Sequence, residues 1–211
     1  MSTLAERLQQ IQQSLPAHVT LIAVCKRQPL EKVREAYALG LRDFGENTAQ
    51  GLQEKAEALR DLQIRWHFIG HLQRNKVNVV LRYAHVVHTI DRFELMEALR
   101  KRAPRQGLDV FVQVNIGREA QKSGVAPEDA LSLCRKVAAP LRLLGLMAIP
   151  PADVDPEPYF RRMQILSGEL QAQRAGAGAL SMGMSGDYEK AMRCGATHIR
   201  VGEALFGGRQ T

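Results

Sequence analysis

Eight short apolar segments, each followed by a stretch with helical spacing, predict an α/β fold: one closed (β/α)8 barrel of the TIM type, preceded by an extra N-terminal helix. Three observations carry this. The segments are rich in β-branched residues and bounded by glycine, proline or asparagine, as buried parallel strands are. They recur at about 25 residues per strand-and-helix unit, so eight units fit the 211 residues available. No linker, composition shift or low-complexity stretch divides the chain, so residues 1–211 read as a single domain. An open, doubly wound sheet is the alternative arrangement of the same elements.

Local signals order the elements. Residues 2–15 place Leu4, Leu8 and Ile11 on one face of a helix. The first strand covers 19–25. Its helix opens at Pro29, whose fixed φ suits a first turn, and closes at Gly40. A second strand at 41–44 runs into Gly45-Glu46-Asn47 and a helix over 48–62. The third strand, 64–69, exits at Gly70 into a helix over 73–81, and the fourth, 84–90, precedes Asp91 as the N-cap of a helix ending near Arg102. Residues 108–116 form the fifth strand, and a loop through Lys122-Ser123-Gly124 leads to a helix from about Pro127. The sixth strand, 141–147, stops at Ile149-Pro150-Pro151, and the loop 151–158 feeds a helix over 159–174. The seventh, 179–182, precedes a helix over 187–193 that ends at Gly195. The eighth, 197–201, is followed by Gly202 and a last short helix.

Composition narrows the function classes. A hydrophobic content of 45% with 24% charged residues is ordinary for a soluble globular protein. No apolar run approaches the roughly 18 residues of a membrane span. The N-terminus lacks a basic-then-apolar signal, so a cytoplasmic location without membrane partners is expected. Cys25, Cys134 and Cys194 are odd in number and far apart, neither a disulfide framework nor a zinc pattern. His67 and His71 are four apart, but on a strand followed by a loop, so they do not make a zinc helix and no metal site is expected. The net charge of +7 is dispersed among acids. Only Arg100-Lys101-Arg102 with Arg105 clusters, at a predicted helix end where cations suit the dipole. No aromatic residue is interleaved there for base stacking, and nucleic acid is not an expected partner.

In such barrels active sites lie at the C-terminal ends of the strands, with phosphate held after strands seven and eight. Strand seven leads into Ser181-Met182-Gly183-Met184-Ser185-Gly186-Asp187, whose two hydroxyls and backbone amides suit an anion. Strand eight leads into Arg200-Val201-Gly202-Glu203-Ala204, where Gly202 permits close backbone approach. Turn chemistry alone also favours glycine and serine there; both falling at the phosphate position is what points to a ligand. Lys26, ending the first strand, stands across the same mouth. Its ammonium is either solvated at the rim or held against the core, where partial desolvation would help it lose a proton. A lysine, a phosphate cradle and an arginine together are compatible with pyridoxal 5'-phosphate: the lysine forms the Schiff base, the cradle holds the phosphate and a side chain addresses the pyridine nitrogen. Arg200 facing that nitrogen would keep it unprotonated.

These segments, with Ala23-Val24-Cys25-Lys26, Phe44-Gly45-Glu46-Asn47, the run from Trp66 to Lys76 and His88-Thr89-Ile90-Asp91, closely resemble the YggS/PROSC family of pyridoxal phosphate homeostasis proteins. So do Lys122-Ser123-Gly124, Gly145 to Pro150, Ser181 to Asp187 and Arg200 to Gly207, so the resemblance spans nearly the whole chain in order. It implies a barrel like the N-terminal domain of alanine racemase, carrying pyridoxal phosphate on Lys26. By motif, Ser185 and Ser181 would hold the phosphate with backbone help from Met184, Gly202 and Glu203. Arg200 would face the pyridine nitrogen, and Asn47, His67 and Met147 would line the pocket. Cys25 stands where the family often has serine, and Glu203 where it often has threonine, which restricts the Glu203 contact to its amide.

The resemblance also implies a cofactor carrier in intracellular pyridoxal phosphate and amino-acid balance, with no catalytic residue. A racemase needs a second base on the opposite face of its substrate, which alanine racemases take from a partner subunit's β-domain. This chain stops soon after strand eight, and Tyr37, Tyr83, Tyr159 and Tyr188 fall on or beside predicted helices, where packing is their default role. A low-activity amino-acid racemase is the alternative. The expected partners are the cofactor and pyridoxal-phosphate-dependent apo-enzymes. A monomer is expected, because one domain closes its own sheet.

Overall fold

The computed structural model describes residues 2–208, so Met1 and residues 209–211 of the expected domain span lie outside the described residues. Eight parallel strands close into a barrel in sequence order, which sets aside the open sheet. They are β1 (Thr20–Val24), β2 (Asp43–Glu46), β3 (Arg65–Phe68), β4 (Val86–Ile90), β5 (Leu108–Val114), β6 (Leu141–Ala148), β7 (Ala179–Ser181) and β8 (His198–Val201). The seam joins β1 to β8 over Thr20↔His198 through Ala23↔Val201. An outer helix follows each strand: α2 (Leu30–Ala38), α3 (Ala49–Ala58), α4 (Val77–Tyr83), α5 (Phe93–Arg100), α6 (Pro127–Lys136), α7 (Glu157–Gln173), α8 (Tyr188–Arg193) and α9 (Glu203–Phe206).

The extra helix α1 (Leu4–Gln13) starts at a capping box, in which Thr3 and Glu6 satisfy each other's backbone amides. It buries Leu4, Leu8 and Ile11, and Arg7 donates from Nε to the Leu205 carbonyl at 2.7 Å, fastening α1 to α9.

Two cores result. The larger lies between strands and helices, where Ala23, Phe44, Trp66, Phe68, Val110 and Ile199 meet buried helix residues such as Leu52 and Leu95. Inside the barrel the apolar part is small: Val86, Phe111 and Met147, with Leu144, Ile149 and Ala179 against them. Barrel interiors are usually filled with branched aliphatic side chains. Here His67, His88, Ser181 and Arg200 are buried and bonded to one another from β3, β4, β7 and β8, so they occupy that space instead.

The expected boundaries shift in three informative places. β2 begins at Asp43 rather than at 41 and includes Gly45 and Glu46. Gly45 is a strand residue paired with His67, and a Cβ there would come within 3.0 Å of Ile22 and 3.1 Å of Ile69, which fill its place. Asp91 does not cap α5. That position belongs to Arg92, and the Asp91 carboxylate instead pairs with Arg92 at 2.5 Å and lies 3.4 Å from His71. After β3 the chain makes a 3-10 turn at Arg74–Lys76 before α4, so the expected helix over 73–81 starts later. No helix among the described residues is long and apolar enough to cross a membrane.

Gly70, just past β3, packs directly on the backbone of Asn47: a Cβ there would lie 1.7 Å from the Asn47 carbonyl oxygen. Replacing it must push the β2–α3 corner away. Gly70→Ala is expected to lower unfolding stability by about 2 kcal/mol or more, read as a reduced urea midpoint; an unchanged midpoint contradicts this close approach.

Candidate functional site

Lys26 lies just beyond β1 and its side chain is exposed. It lines a cavity of about 560 Å³ with Val24, Arg27, Lys32, Gly202 and Glu203. Of the two expectations for this ammonium, the structure has the solvated one: two further cations share the cavity, and the core is sealed beneath by Cys25. Arg27 holds a left-handed backbone at φ 59, strain of about 1 kcal/mol or more of the kind found at functional turns. The Cys25 thiol points the other way, to the Gly45 carbonyl at 3.4 Å and the Glu46 carboxylate at 3.8 Å. Burial first, and Glu46 second, push it far above the usual thiol range.

The loop after β7 and the turn after β8 meet at Ser185. Its Oγ accepts from the amides of Gly202 at 3.3 Å and Ala204 at 3.2 Å, forming a small cradle of donors between two chain segments. Glu203 lies between those two residues in the chain, with its side chain exposed. The Met184 amide is already committed to Asp187 Oδ1 at 2.6 Å. Like the Gly202 and Ala204 amides, it would have to exchange its present acceptor for an anion.

Ser181 lies deeper than Ser185. It is fully buried on β7, paired with His198 of β8, and its Oγ accepts from Arg200 at 2.7 Å. The strand register turns it into the barrel, below the loop that carries Ser185. Arg200 is buried, and its second guanidinium nitrogen donates to the Ala148 carbonyl at 3.0 Å. Burial pushes it down to about 10, still protonated at neutral pH. Arg200 forms no ion pair among the described residues.

His67 lies deeper in the barrel. It pairs with Gly45, which pairs with Val24, so it stands two residues below the level of Lys26 and lines neither mouth cavity. Its Nε2 meets Asp43 at 2.8 Å and its Nδ1 meets His88 Nε2 at 2.9 Å. Asn47 and Met147 do line the mouth, in a second cavity of about 310 Å³ with Thr89, Gln113 and Lys122. The Asn47 Oδ1 is buried there without a hydrogen-bond partner among the described residues, an acceptor left open for a ligand donor.

Sequence reasoning passed over His88, Asp43 and His198. The available signal was a polar side chain at an inward position of a strand otherwise buried on both faces. His88 was visible only as part of a family motif without a role.

Three comparisons bear on this geometry. The family described as alanine racemase, N-terminal domain, matches residues 1–210. A pyridoxal phosphate homeostasis protein of Pseudomonas aeruginosa is 42% identical over 99% of this chain and 97% of its own, and one from Aquifex aeolicus is 42% identical over 90% and 87%. The chain belongs to the pyridoxal phosphate homeostasis family. Among solved structures, PipY of Synechococcus elongatus, in the form with PLP bound, superposes with a TM-score of 0.89 at 34% identity, covering 97% of this chain and all of that one. Alanine racemase of Enterococcus faecalis (18% identity, TM-score 0.75, 58% of its length) shares the fold.

Family membership makes the fit to pyridoxal phosphate testable on these residues. An exposed amine, a two-amide cradle beside it, a buried guanidinium and an unpaired buried amide oxygen suit an aldehyde, a phosphate, a ring nitrogen and a ring hydroxyl, the groups that cofactor carries.

Burial holds His67 and His88 below the ordinary imidazole value and pushes His198 down to about 4. Above 6.5 both the folded and the unfolded chain keep His198 neutral; between 6.5 and about 4 only the unfolded chain takes up the proton. Stability is therefore lost as pH falls through that window. Urea unfolding of the protein without cofactor should weaken on acidification by about 1.4 kcal/mol per pH unit for each such imidazole. His198→Phe should reduce that slope by one imidazole's share, and an unaltered slope refutes it.

Proposed function

We propose that this chain binds pyridoxal 5'-phosphate as a Schiff base on Lys26 and acts in intracellular pyridoxal phosphate and amino-acid homeostasis. The observation that carries the reading is the role of Gly202: it lines the Lys26 cavity, and its amide also belongs to the Ser185 cradle. Amine and cradle thus belong to one mouth, though they come from opposite ends of the chain. When bound, the cofactor supplies an aldehyde for imine formation and an electron-withdrawing ring. Lys26 supplies the amine, Ser185 with the Gly202 and Ala204 amides that meet it and the Glu203 amide between them the phosphate site, Arg200 the ring-nitrogen contact, and Asn47 and Met147 the pocket wall. The cofactor-bound PipY structure and the homeostasis proteins at 42% identity support the assignment by kinship.

The reading is of a carrier that does not turn over substrate. Among the described residues none of the four tyrosines lines either mouth cavity. Tyr37 takes the Gln63 amide on its hydroxyl and sits under Arg42 at 3.9 Å, and Tyr159 and Tyr188 pack on the outer core. A second reading, a slow amino-acid racemase, draws on the shared alanine racemase fold. As a carrier the chain would work as one domain and a monomer in the cytoplasm, handing cofactor to apo-enzymes.

Borohydride reduction followed by peptide mass spectrometry should place the adduct on Lys26, and Lys26→Ala should lose the visible absorbance band. An adduct elsewhere, or none, refutes the assignment. Incubation with L-amino acids in deuterated water should give no appreciable α-proton exchange; exchange that vanishes in Lys26→Ala would favour the racemase.

A further inference from the structure

The hydrogen bonds inside the barrel form one line with one possible direction. A guanidinium has only donors, so Arg200 gives a hydrogen to Ser181 Oγ at 2.7 Å. The Ser181 hydroxyl then gives its own hydrogen to His88 Nδ1 at 2.9 Å. With that nitrogen accepting, neutral His88 carries its proton on Nε2 and donates to His67 Nδ1 at 2.9 Å. His67 in turn carries its proton on Nε2 and donates to Asp43 Oδ1 at 2.8 Å. The line cannot run backwards, because the guanidinium end has no lone pair to accept with and the carboxylate end has no proton to give.

The line resolves a difficulty at Arg200. A buried cation without a carboxylate in contact is costly unless other dipoles answer it. The charge that favours it is Asp187, on the loop after β7. Three aligned polar groups link the guanidinium to Asp43, whose side chain is 23% exposed at the opposite end of the barrel. Bonds aligned in this way polarise one another. Phe111 stacks on the His88 ring at 4.5 Å between centroids and holds its plane.

We propose that His88, acting through Ser181, is a positioning residue: it holds the Arg200 guanidinium in place for the pyridine-nitrogen contact, with Asp43 on the far face as the anchor of the line. This rests on the reading that pyridoxal phosphate occupies the Lys26 mouth. His88 lines neither mouth cavity. Its effect reaches the ring only through the serine hydroxyl.

The experiment compares wild type, Ser181→Ala, His88→Phe and the double variant, each loaded with pyridoxal phosphate, then scanned in the visible, timed for cofactor release and reduced with borohydride. The adduct should be on Lys26 in all four. Each single variant should shift the visible band and release cofactor about tenfold faster, the scale of one hydrogen bond to a charged group. The double variant should be no worse than either single, because both break one line. His88→Asn, which keeps an acceptor where Nδ1 was, should return the band towards wild type. Fully additive effects, or a His88→Phe spectrum and release rate equal to wild type, overturn the proposal. Should His88→Phe fail to fold, long-range nitrogen–proton NMR of the wild type decides: both imidazoles should carry the proton on Nε2, and a proton on His88 Nδ1 overturns it. An adduct missing from Lys26 in the wild type overturns the cofactor reading and this proposal together, whereas a Lys26 adduct with an unresponsive His88 overturns this proposal alone.

Discussion

A positive charge sealed inside a parallel barrel is the constraint on which this structure turns. Taking the Arg200 guanidinium out of water costs several kcal/mol unless its hydrogens are received and its charge is answered. The Ala148 carbonyl and the Ser181 hydroxyl receive them. The inward positions of β2, β3, β4 and β7 therefore carry Asp43, His67, His88 and Ser181 where other barrels place valine or leucine. Apolar filling is left to the β4–β6 side, around Val86, Phe111 and Met147. The hydrophobic driving force for folding then comes chiefly from the outer layer between strands and helices.

Closing the barrel between its first and last strands gives the mouth its shape. The β1–β8 register brings Lys26 beside Gly202, and the turn carrying Gly202 is tied down from several directions. Ser185 receives its amides, Arg7 of α1 holds the Leu205 carbonyl, and the Lys32 ammonium donates to the Phe206 carbonyl at 3.2 Å. The extra N-terminal helix thus does more than cover apolar surface. It fixes the short segment that carries the amides of the proposed phosphate site, so its loss is expected to be felt there as well as in stability.

Much of this was legible in the chain. All eight strands and their helices were readable from β-branched runs and glycine or proline punctuation, because buried parallel strands need those residue types whatever surrounds them. The misplaced edges have local causes. Gly45 looks like a strand exit but is a strand residue whose missing side chain makes room for Ile22 and Ile69. Asp91 looks like a cap, but its carboxylate is taken by Arg92. The residues of the proposed site, Lys26, Ser185, Gly202 and Arg200, stand out in the chain by their place at or after strand ends, where this fold binds ligands.

Roles that depend on which way a side chain faces were not legible. Ser181 and Ser185 are four residues apart in one loop-like run, yet the first looks into the barrel and the second over its rim. His67 shares a motif with mouth residues but lies a layer beneath them. The sequence by itself determined which elements form and which residues sit near a strand's end, since periodicity and turn chemistry are local properties. Only the tertiary structure decided which of those residues meet. Strand register and barrel closure, set by packing across the whole molecule, carry Asp43, His67, His88, Ser181 and Arg200 from five different strands into one line.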